Sequence, residues 1–205
     1  LDFFGKPLIK HTLDQALKIK KIHGIVVSTD SKKISNIVGQ KYSWFLRSRK
    51  LSGDRISKIK VIIDALLKSE KKHKTSYDTV LDLDVTSPLR LTTDIYKSIQ
   101  LFKKKNYDNL FSVTYASKNP YFNMVEKKKN KIFLSKKNKI TTSRQMAPTV
   151  YEMNAAIYIW KKNILLKDKK LFGNNTGLYI MPKNRSIDID TKLDYKISKF
   201  LYGEK

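Results

Sequence analysis

Short apolar runs alternate with amphipathic helical segments along most of this chain, and that alternation limits the possible folds most strongly. Runs such as Ile25-Val26-Val27 and Leu110-Phe111-Ser112-Val113 predict buried strands, and apolar stripes such as that from residue 56 to 67 predict the helices between them. Strands that alternate with helices at this pace indicate an α/β fold, with helices on both faces of a mainly parallel sheet. The length of 205 residues suits a single domain over residues 1–205.

The alternation breaks between residues 120 and 176, which we predict to form a small excursion from the main sheet. Residues 121–125 and 132–134 are predicted to be short strands, and residues 163–176 a loop. Such an excursion is a usual place for a contact between subunits.

In the last predicted helix, apolar residues at helical spacing predict the buried face. They are Leu193, Ile197, Phe200 and Leu201.

The formal net charge of +25 could indicate a nucleic-acid partner. Only six of the 43 cations are arginine, however, which is the residue favoured for reading bases, and no nucleic-acid motif is present. We therefore predict no nucleic-acid partner and expect the charge to attract a polyanion such as a nucleoside triphosphate.

The absence of cysteine excludes disulfide and thiolate chemistry, and no apolar run could span a bilayer. These features predict a cytoplasmic protein without a membrane partner.

A polar turn follows the predicted strand from Val80 to Val85. In an open α/β sheet, ligands bind beyond the carboxyl ends of the strands. Asp84 and the turn Thr86-Ser87-Pro88, with Arg90 behind it, are therefore placed where a ligand would bind. An ordinary strand, turn and helix, with Arg90 as a surface charge, would account for this segment equally well.

A second acidic segment, Ser186-Ile187-Asp188-Ile189-Asp190, comes just before the last helix. Alternation puts Asp188 and Asp190 on the same side of an extended chain. Two carboxylates placed in this way can bind Mg²⁺ together with phosphate oxygens of a substrate. Alternatively, Asp190 only helps to open the last helix, where Thr191 and Asp194 have the pattern of a capping box.

Seven different short segments follow one another along the chain. They are Lys6-Pro7-Leu8-Ile9, Val27-Ser28-Thr29-Asp30-Ser31, Leu46-Arg47 with Leu51 and Asp54, Thr86-Ser87-Pro88-Leu89-Arg90 with Asp94-Ile95, Arg144-Gln145 with Pro148, Asn154 with Ala156-Ile157-Tyr158, and Ile187-Asp188-Ile189-Asp190-Thr191 with Asp194. Each is weak alone, but their common order and rough spacing are specific. Together they resemble the acylneuraminate cytidylyltransferases, or CMP-sialic acid synthetases, including the bacterial enzymes for legionaminic and pseudaminic acids.

The resemblance implies a Rossmann-like nucleotide-diphospho-sugar transferase fold with a dimerisation excursion, and therefore a homodimer. It implies the transfer of CMP from CTP to the anomeric hydroxyl of a nonulosonic acid, with release of pyrophosphate. By the matching motifs, Asp188 and Asp190 would bind the catalytic Mg²⁺, and Arg47 and Asp54 would contact the nucleotide. The residues assigned to the sugar-acid side are Asp84, Thr86, Ser87, Arg90, Arg144, Gln145 and Phe172.

The chain also departs from the family pattern. A first strand and an Arg-x-Gly-Ser-Lys-Gly loop would lie before Leu1, so we expect the chain to begin inside the domain and to lack part of the nucleotide site. Asp84 stands where the family often has Gln, and Lys58 where it often has a hydroxyl that faces cytosine. Ala155 stands where the family has Gly. These departures bear on the base and sugar specificity.

Two other hypotheses remain open at this point. One is a different nucleotidyltransferase of the same fold that uses another base or sugar. The other is a non-catalytic protein, either a basic binding protein or a degenerate paralogue.

Overall fold

A computed structural model of the chain describes residues 1–39, 42–53, 55–136 and 143–203. Asp54, predicted to contact the nucleotide, lies outside the described residues. The strands are β1 (Asp2–Phe3), β2 (Lys6–Pro7), β3 (Val26–Thr29), β4 (Ser43–Leu46), β5 (Thr79–Leu83), β6 (Asn109–Tyr115), β7 (Val125–Lys128), β8 (Lys131–Leu134), β9 (Tyr151–Lys161) and β10 (Thr176–Ile180). The α-helices are α1 (Leu8–Leu17), α2 (Lys32–Val38), α3 (Lys58–His73), α4 (Thr92–Lys104), α5 (Lys162–Asp168) and α6 (Lys192–Gly203).

The main sheet has four strands in the order β10-β6-β9-β5. β10 pairs with β6 in parallel, and β9 runs antiparallel to both of its neighbours, β5 and β6. Three of the four strands therefore share one direction, and β9 makes the sheet mixed. β3 and β4 form a separate parallel pair. In the described residues, β5 pairs only with β9 and β3 only with β4, so each of these strands has one edge without a ladder partner.

Two hydrophobic clusters cover the two faces of the main sheet, because successive strand residues point to opposite sides. One cluster, which contains α4, consists of Ile19, Ile95, Ile99, Phe102, Leu110, Ala156, Ile157, Ile159 and Met181. The other, which contains α3 and α5, consists of Ile59, Ile62, Leu66, Phe111, Val113, Tyr158, Trp160 and Leu165. The result is the three-layer α/β arrangement that the alternation predicts.

The structure narrows the predicted excursion of residues 120–176. β9 lies inside the main sheet, where Ile157 and Ile159 are fully buried. The predicted loop over residues 163–176 is also wrong in its first part, because α5 begins at Lys162 and buries Leu165. The segment outside the sheet is therefore the connection between β6 and β9, which carries the hairpin of β7 and β8.

Three of the four residues on the predicted buried face of α6 are exposed, Phe200 retaining 66% of its accessible surface, and only Leu201 is half-buried. The helix packs instead through its tyrosines. The Tyr195 hydroxyl donates a hydrogen bond to the Asp2 carbonyl oxygen at 2.8 Å, and the Tyr202 ring lies 5.1 Å from that of Phe3. None of the described helices, α6 included, is both long and apolar enough to cross a bilayer.

Candidate functional site

Two carboxylates of β5 and its following turn face the first turn of α3. The Leu81 and Leu83 side chains pack against the α4 cluster, so Asp82 and Asp84 point to the other face by strand alternation. The Lys58 Nζ atom lies 2.9 Å from an oxygen of Asp82 and 2.9 Å from an oxygen of Asp84. The contact with Asp84 is a hydrogen bond, whereas that with Asp82 has the distance but not the geometry of one.

The electrostatics of these three groups are coupled. Burial acts to lower the pKa of Lys58, but the nearby charges of Asp82 and Asp84 outweigh it, and the pKa is raised. For Asp84, burial acts to raise the pKa, but the charge and hydrogen bond of Lys58 outweigh it, and the pKa is lowered. At neutral pH the Asp84 carboxylate and the Lys58 ammonium are therefore both ionised.

The Thr86 residue joins Asp84 to the acidic segment before α6. Its hydroxyl donates to Asp84 Oδ1 at 2.9 Å, and its carbonyl oxygen accepts a hydrogen bond from the Ile189 backbone at 2.9 Å. Asp188 and Asp190 flank Ile189, where the chain turns tightly and is not extended as predicted, because the Asp190 backbone N–H donates to the Asp188 carbonyl oxygen at 3.2 Å. The structure thus brings together four of the residues predicted for the site, although sequence positions 84 and 188 are far apart.

Asp188 has a carboxylate oxygen that no described residue satisfies. The residue is half-buried, and its Oδ1 atom is buried with no hydrogen-bond partner among the described residues. Burial, together with the charges of Asp84 and Asp190, raises the pKa of Asp188 and outweighs the opposing effects of the nearby Thr86 hydroxyl and Lys58 ammonium. A carboxylate of this kind is stabilised by a bound cation.

The carboxylates of Asp188 and Asp190 fit a hard divalent cation such as Mg²⁺, which prefers oxygen ligands and keeps some waters. Within the described ranges, no group of three or more His, Cys, Asp or Glu side chains could hold a metal ion. The chain would therefore supply two carboxylates, and the remaining ligands would be water and substrate oxygens. This is the arrangement that the sequence predicts, and it remains a prediction.

The alternative role for Asp190, the opening of α6, is filled by its neighbours. The Thr191 backbone donates to Asp194 Oδ2 at 2.8 Å, and the Asp194 backbone donates to Thr191 Oγ1 at 3.2 Å. These reciprocal bonds form the capping box expected from the sequence. The cap does not use the Asp190 carboxylate, which is consistent with a separate role for Asp190.

The side chains of Arg90 and Ser87 lie on the buried side of the turn Thr86-Ser87-Pro88 and support it. The prediction placed them instead in contact with the substrate. Both side chains are fully buried. The Arg90 guanidinium donates to the Asp84 carbonyl oxygen at 3.1 Å, to Gln15 Oε1 at 3.1 Å and to the Ala156 carbonyl oxygen. Burial lowers the pKa of Arg90 to about 10, so its charge persists at neutral pH.

Arg47 lies at the carboxyl ends of β3 and β4. Its backbone N–H donates to the Thr29 carbonyl oxygen at 2.7 Å, and its Nη2 atom lies 3.3 Å from Asp30 Oδ1. The Nε atom is buried and has no hydrogen-bond partner among the described residues. This is the edge of the sheet where ligands bind in α/β folds, and the contact of Arg47 with the nucleotide stays a prediction.

Arg144 and Gln145 lie in an exposed 3₁₀ turn within the connection between β6 and β9. Arg144 lines a surface cleft of about 190 Å³ together with Tyr115 at the end of β6. The hydrogen bonds and ion pairs of the described residues join neither side chain to Asp84 or Asp188. The structure therefore does not bring these two residues to the carboxylates within one chain.

Phe172 is connected to the site through a row of aromatic rings. Its ring is 62% exposed and lies 5.5 Å from that of Phe111. Phe111 lies 6.3 Å from Tyr158, and the Lys58 ammonium lies 4.4 Å from the centre of the Tyr158 ring. Phe172 is thus linked to Lys58 through the buried rings of Phe111 and Tyr158.

Asn154 is a buried residue whose role the sequence does not reveal. Its Nδ2 atom donates to Ser186 Oγ at 2.9 Å, its Oδ1 atom accepts from Ser112 Oγ at 2.6 Å, and its carbonyl oxygen accepts from Ser87 at 3.5 Å. It therefore ties β9 both to the turn and to the segment before Asp188. The sequence signal for Asn154 is a polar amide side chain at the start of an otherwise apolar run.

Comparison with known proteins finds similarity along nearly the whole chain. The family described as cytidylyltransferase matches residues 1–201. CMP-N,N'-diacetyllegionaminic acid synthase of Campylobacter jejuni is 44% identical over 201 residues, which cover 97% of this chain and 85% of that protein. Post-translational flagellin modification protein B of Campylobacter coli is 43% identical over 201 residues, with the same coverage of 97% and 85%.

A solved structure also has a similar fold. CMP:2-keto-3-deoxy-manno-octonic acid synthetase complexed with CTP matches with a TM-score of 0.67, over 100% of this chain and 90% of that chain. At 14% identity, that similarity concerns the fold alone. The family match and the relatives cover nearly the whole chain, and they confirm the resemblance carried by the seven segments. This chain belongs to the cytidylyltransferase family of nucleotidyltransferase enzymes.

Proposed function

We propose that this protein transfers CMP from CTP to the anomeric hydroxyl of a nonulosonic acid, giving a CMP-sugar and pyrophosphate. The observation that carries the proposal is the Asp188 and Asp190 pair, held beside the Thr86 turn by the backbone hydrogen bond from Ile189. The relative from Campylobacter jejuni, at 44% identity, is named for N,N'-diacetyllegionaminic acid, which makes that sugar the first acceptor to test.

In the proposed reaction, the anomeric hydroxyl attacks the α-phosphorus of CTP in line. One P–O bond forms to the sugar oxygen, which releases its proton to solvent, the bond to the bridging oxygen breaks, and pyrophosphate leaves with the electron pair. Mg²⁺, when bound, would offset negative charge on the triphosphate and on the leaving pyrophosphate. The chain itself contributes mainly orientation and electrostatics, and we assign no side chain as general base.

The residues have distinct proposed roles. Asp188 and Asp190 hold the cation, and Arg47 and Asp54 contact the nucleotide. Thr86 orients Asp84 at the sugar-acid side through the 2.9 Å hydrogen bond of its hydroxyl. We assign Arg144, Gln145 and Phe172 to the acceptor sugar, whereas Arg90 and Ser87 position the turn. Because CTP is a cytoplasmic nucleotide, we place the reaction in the cytoplasm.

We further propose that the protein forms a dimer through the β7–β8 hairpin. Val125 pairs with Leu134, and Ile132 pairs with Lys127, so Val125, Ile132 and Leu134 share one face of the hairpin. These three side chains, the hairpin face, are 64%, 68% and 40% exposed. An isolated two-stranded hairpin is marginally stable in water, and a second copy of the chain would cover its apolar face.

The cation-binding pair provides the direct test of the proposed reaction. Asp188→Asn and Asp190→Asn should each reduce Mg²⁺-dependent release of pyrophosphate from CTP about hundredfold or more in the complete chain, because an amide no longer offsets the cation's charge. Asp194→Asn is the matched control, since it changes a carboxylate of the same segment that only caps α6. Full turnover in both site variants would refute the proposal and favour a non-catalytic protein.

Competition between nucleotides separates the proposal from another nucleotidyltransferase activity. CTP should bind in preference to UTP, ATP and GTP when a nonulosonic acid and Mg²⁺ are present. Equal binding of all four nucleotides would contradict a cytidylyl transfer while leaving the fold assignment intact.

A further inference from the structure

Lys58 stands at the first residue of α3, where a positive charge is unfavourable. The amino end of a helix carries a partial positive charge, which favours acidic residues and disfavours basic ones. The first turn of α3 contains no acidic residue to compensate. The charge preferences of a helix end therefore do not explain a lysine at this position. The explanation lies in its contacts with residues outside α3.

Those contacts hold the ammonium on two sides. Asp82 and Asp84 lie 2.9 Å away on one side, and the face of the Tyr158 ring lies beneath at 4.4 Å from its centre. The Lys58 side chain nevertheless remains 42% exposed. The ammonium is thus held beside the two carboxylates and is still accessible from solvent.

The Lys58 ammonium is linked to the cation-binding segment through Asp84. Thr86 donates a hydrogen bond to Asp84 and accepts one from the Ile189 backbone. A change in charge at Lys58 is therefore transmitted to the place where the triphosphate is expected.

Building on the proposed function, we propose that Lys58 is a positioning residue for the nucleotide, which offsets the charge of Asp82 and Asp84 so that the triphosphate can approach Asp188 and Asp190. Without Lys58, two further uncompensated carboxylates would face a polyanion. Their repulsion would weaken nucleotide binding, and it would have less effect on the chemical step once the nucleotide is bound.

The test compares the KM for CTP among variants of the complete chain. Lys58→Met should raise this KM about three- to tenfold at low ionic strength, with a smaller change in kcat. Adding Asp82→Asn to Lys58→Met restores the net charge of the cluster and should return the KM most of the way to the wild-type value. A residue with only a structural role would not be rescued by removing the opposite charge.

Lys60→Met is the matched control, because Lys60 is an exposed lysine of the same helix and the substitution removes the same charge. It should leave the KM for CTP within about twofold of wild type. Lys58→Arg keeps the charge and should keep most of the affinity for CTP. If Lys58→Met does not fold, Lys58→Gln takes its place in the same comparison.

The outcomes separate this inference from the proposed function. If wild type shows no CTP-dependent release of pyrophosphate, both are overturned. If wild type turns over but Lys58→Met has an unchanged KM, or the added Asp82→Asn gives no recovery, only the role of Lys58 is overturned. A raised KM that is restored by Asp82→Asn supports both.

Discussion

Arg90 brings a positive charge into the interior, and the chain surrounds it with neutral oxygens. Its guanidinium donates to carbonyl oxygens of Asp84 and Ala156 and to the side chains of Gln15 and Thr12. These partners belong to α1, to the end of β5 and to β9. One buried side chain therefore connects three segments directly beneath the turn that carries Thr86.

We expect Arg90→Met to lower the free energy of unfolding by about 3–5 kcal/mol, because the substitution leaves several buried acceptors without a donor. Urea denaturation followed by circular dichroism measures the change. Arg49→Met, at an exposed arginine, is the control and should stay within about 0.5 kcal/mol of wild type. Equal stability of the two variants would contradict a structural role for Arg90.

For single residues, the sequence predicts which side chains lie near one another more successfully than it predicts the atoms that each side chain contacts. Asp84, Thr86 and Asp188 could be assigned to one edge because strand ends in an α/β sheet face the same way. The burial of Arg90 could not, because it depends on Gln15, which lies 75 residues away along the chain. An arginine after a turn has the same local pattern whether it faces solvent or the interior.

At the scale of elements, β9 contains an irregularity beside the site. Its pairing with β6 shifts register between Phe111 and Val113, and Ala155 has a φ of 54°. That left-handed conformation costs a residue with a Cβ atom roughly 1–2 kcal/mol. The bulge gives Asn154 its contacts with Ser112 and Ser186, so the strain lies next to the residue that links β9 to the acidic segment.

Ala155→Gly should raise the free energy of unfolding by about 0.5–1 kcal/mol, because glycine adopts a positive φ without the steric cost but gains freedom in the unfolded chain. Ala156→Gly, one position further along, is the matched control. Ala156 is fully buried and does not have a positive φ, so its substitution should be destabilising by roughly 1 kcal/mol. Thermal unfolding compares the two, and a destabilised Ala155→Gly would contradict the argument.

The sequence predicts elements well where a long apolar pattern marks them. The stripe of α3 and the alternating runs of β5 and β6 are found within a few residues of their predicted positions. α5 is missed because its seven residues carry too short a pattern to distinguish a helix from a loop. The place of β9 in the sheet is missed because a strand's partners depend on the chain's path, which periodicity does not record.

At the scale of the whole molecule, the hairpin face should control the oligomeric state. We expect the protein to elute as a dimer, and Ile132→Glu should shift it to the monomer by placing a charge at the centre of the apolar face. Size-exclusion chromatography with light scattering measures the mass. Lys131→Glu, on the opposite face of the same strand, should remain dimeric, and an unchanged mass for Ile132→Glu would exclude this interface.

The exposed apolar side chains of α6 have a consequence for the behaviour of the protein in solution. Exposed apolar side chains favour association between molecules, and here the net charge of +25 opposes it by mutual repulsion. That repulsion is short-ranged in salt, since the Debye length falls from about 30 Å at 0.01 M to about 8 Å at 0.15 M. Turbidity should therefore increase as salt is added, so colloidal stability depends on ionic strength more than on the fold itself.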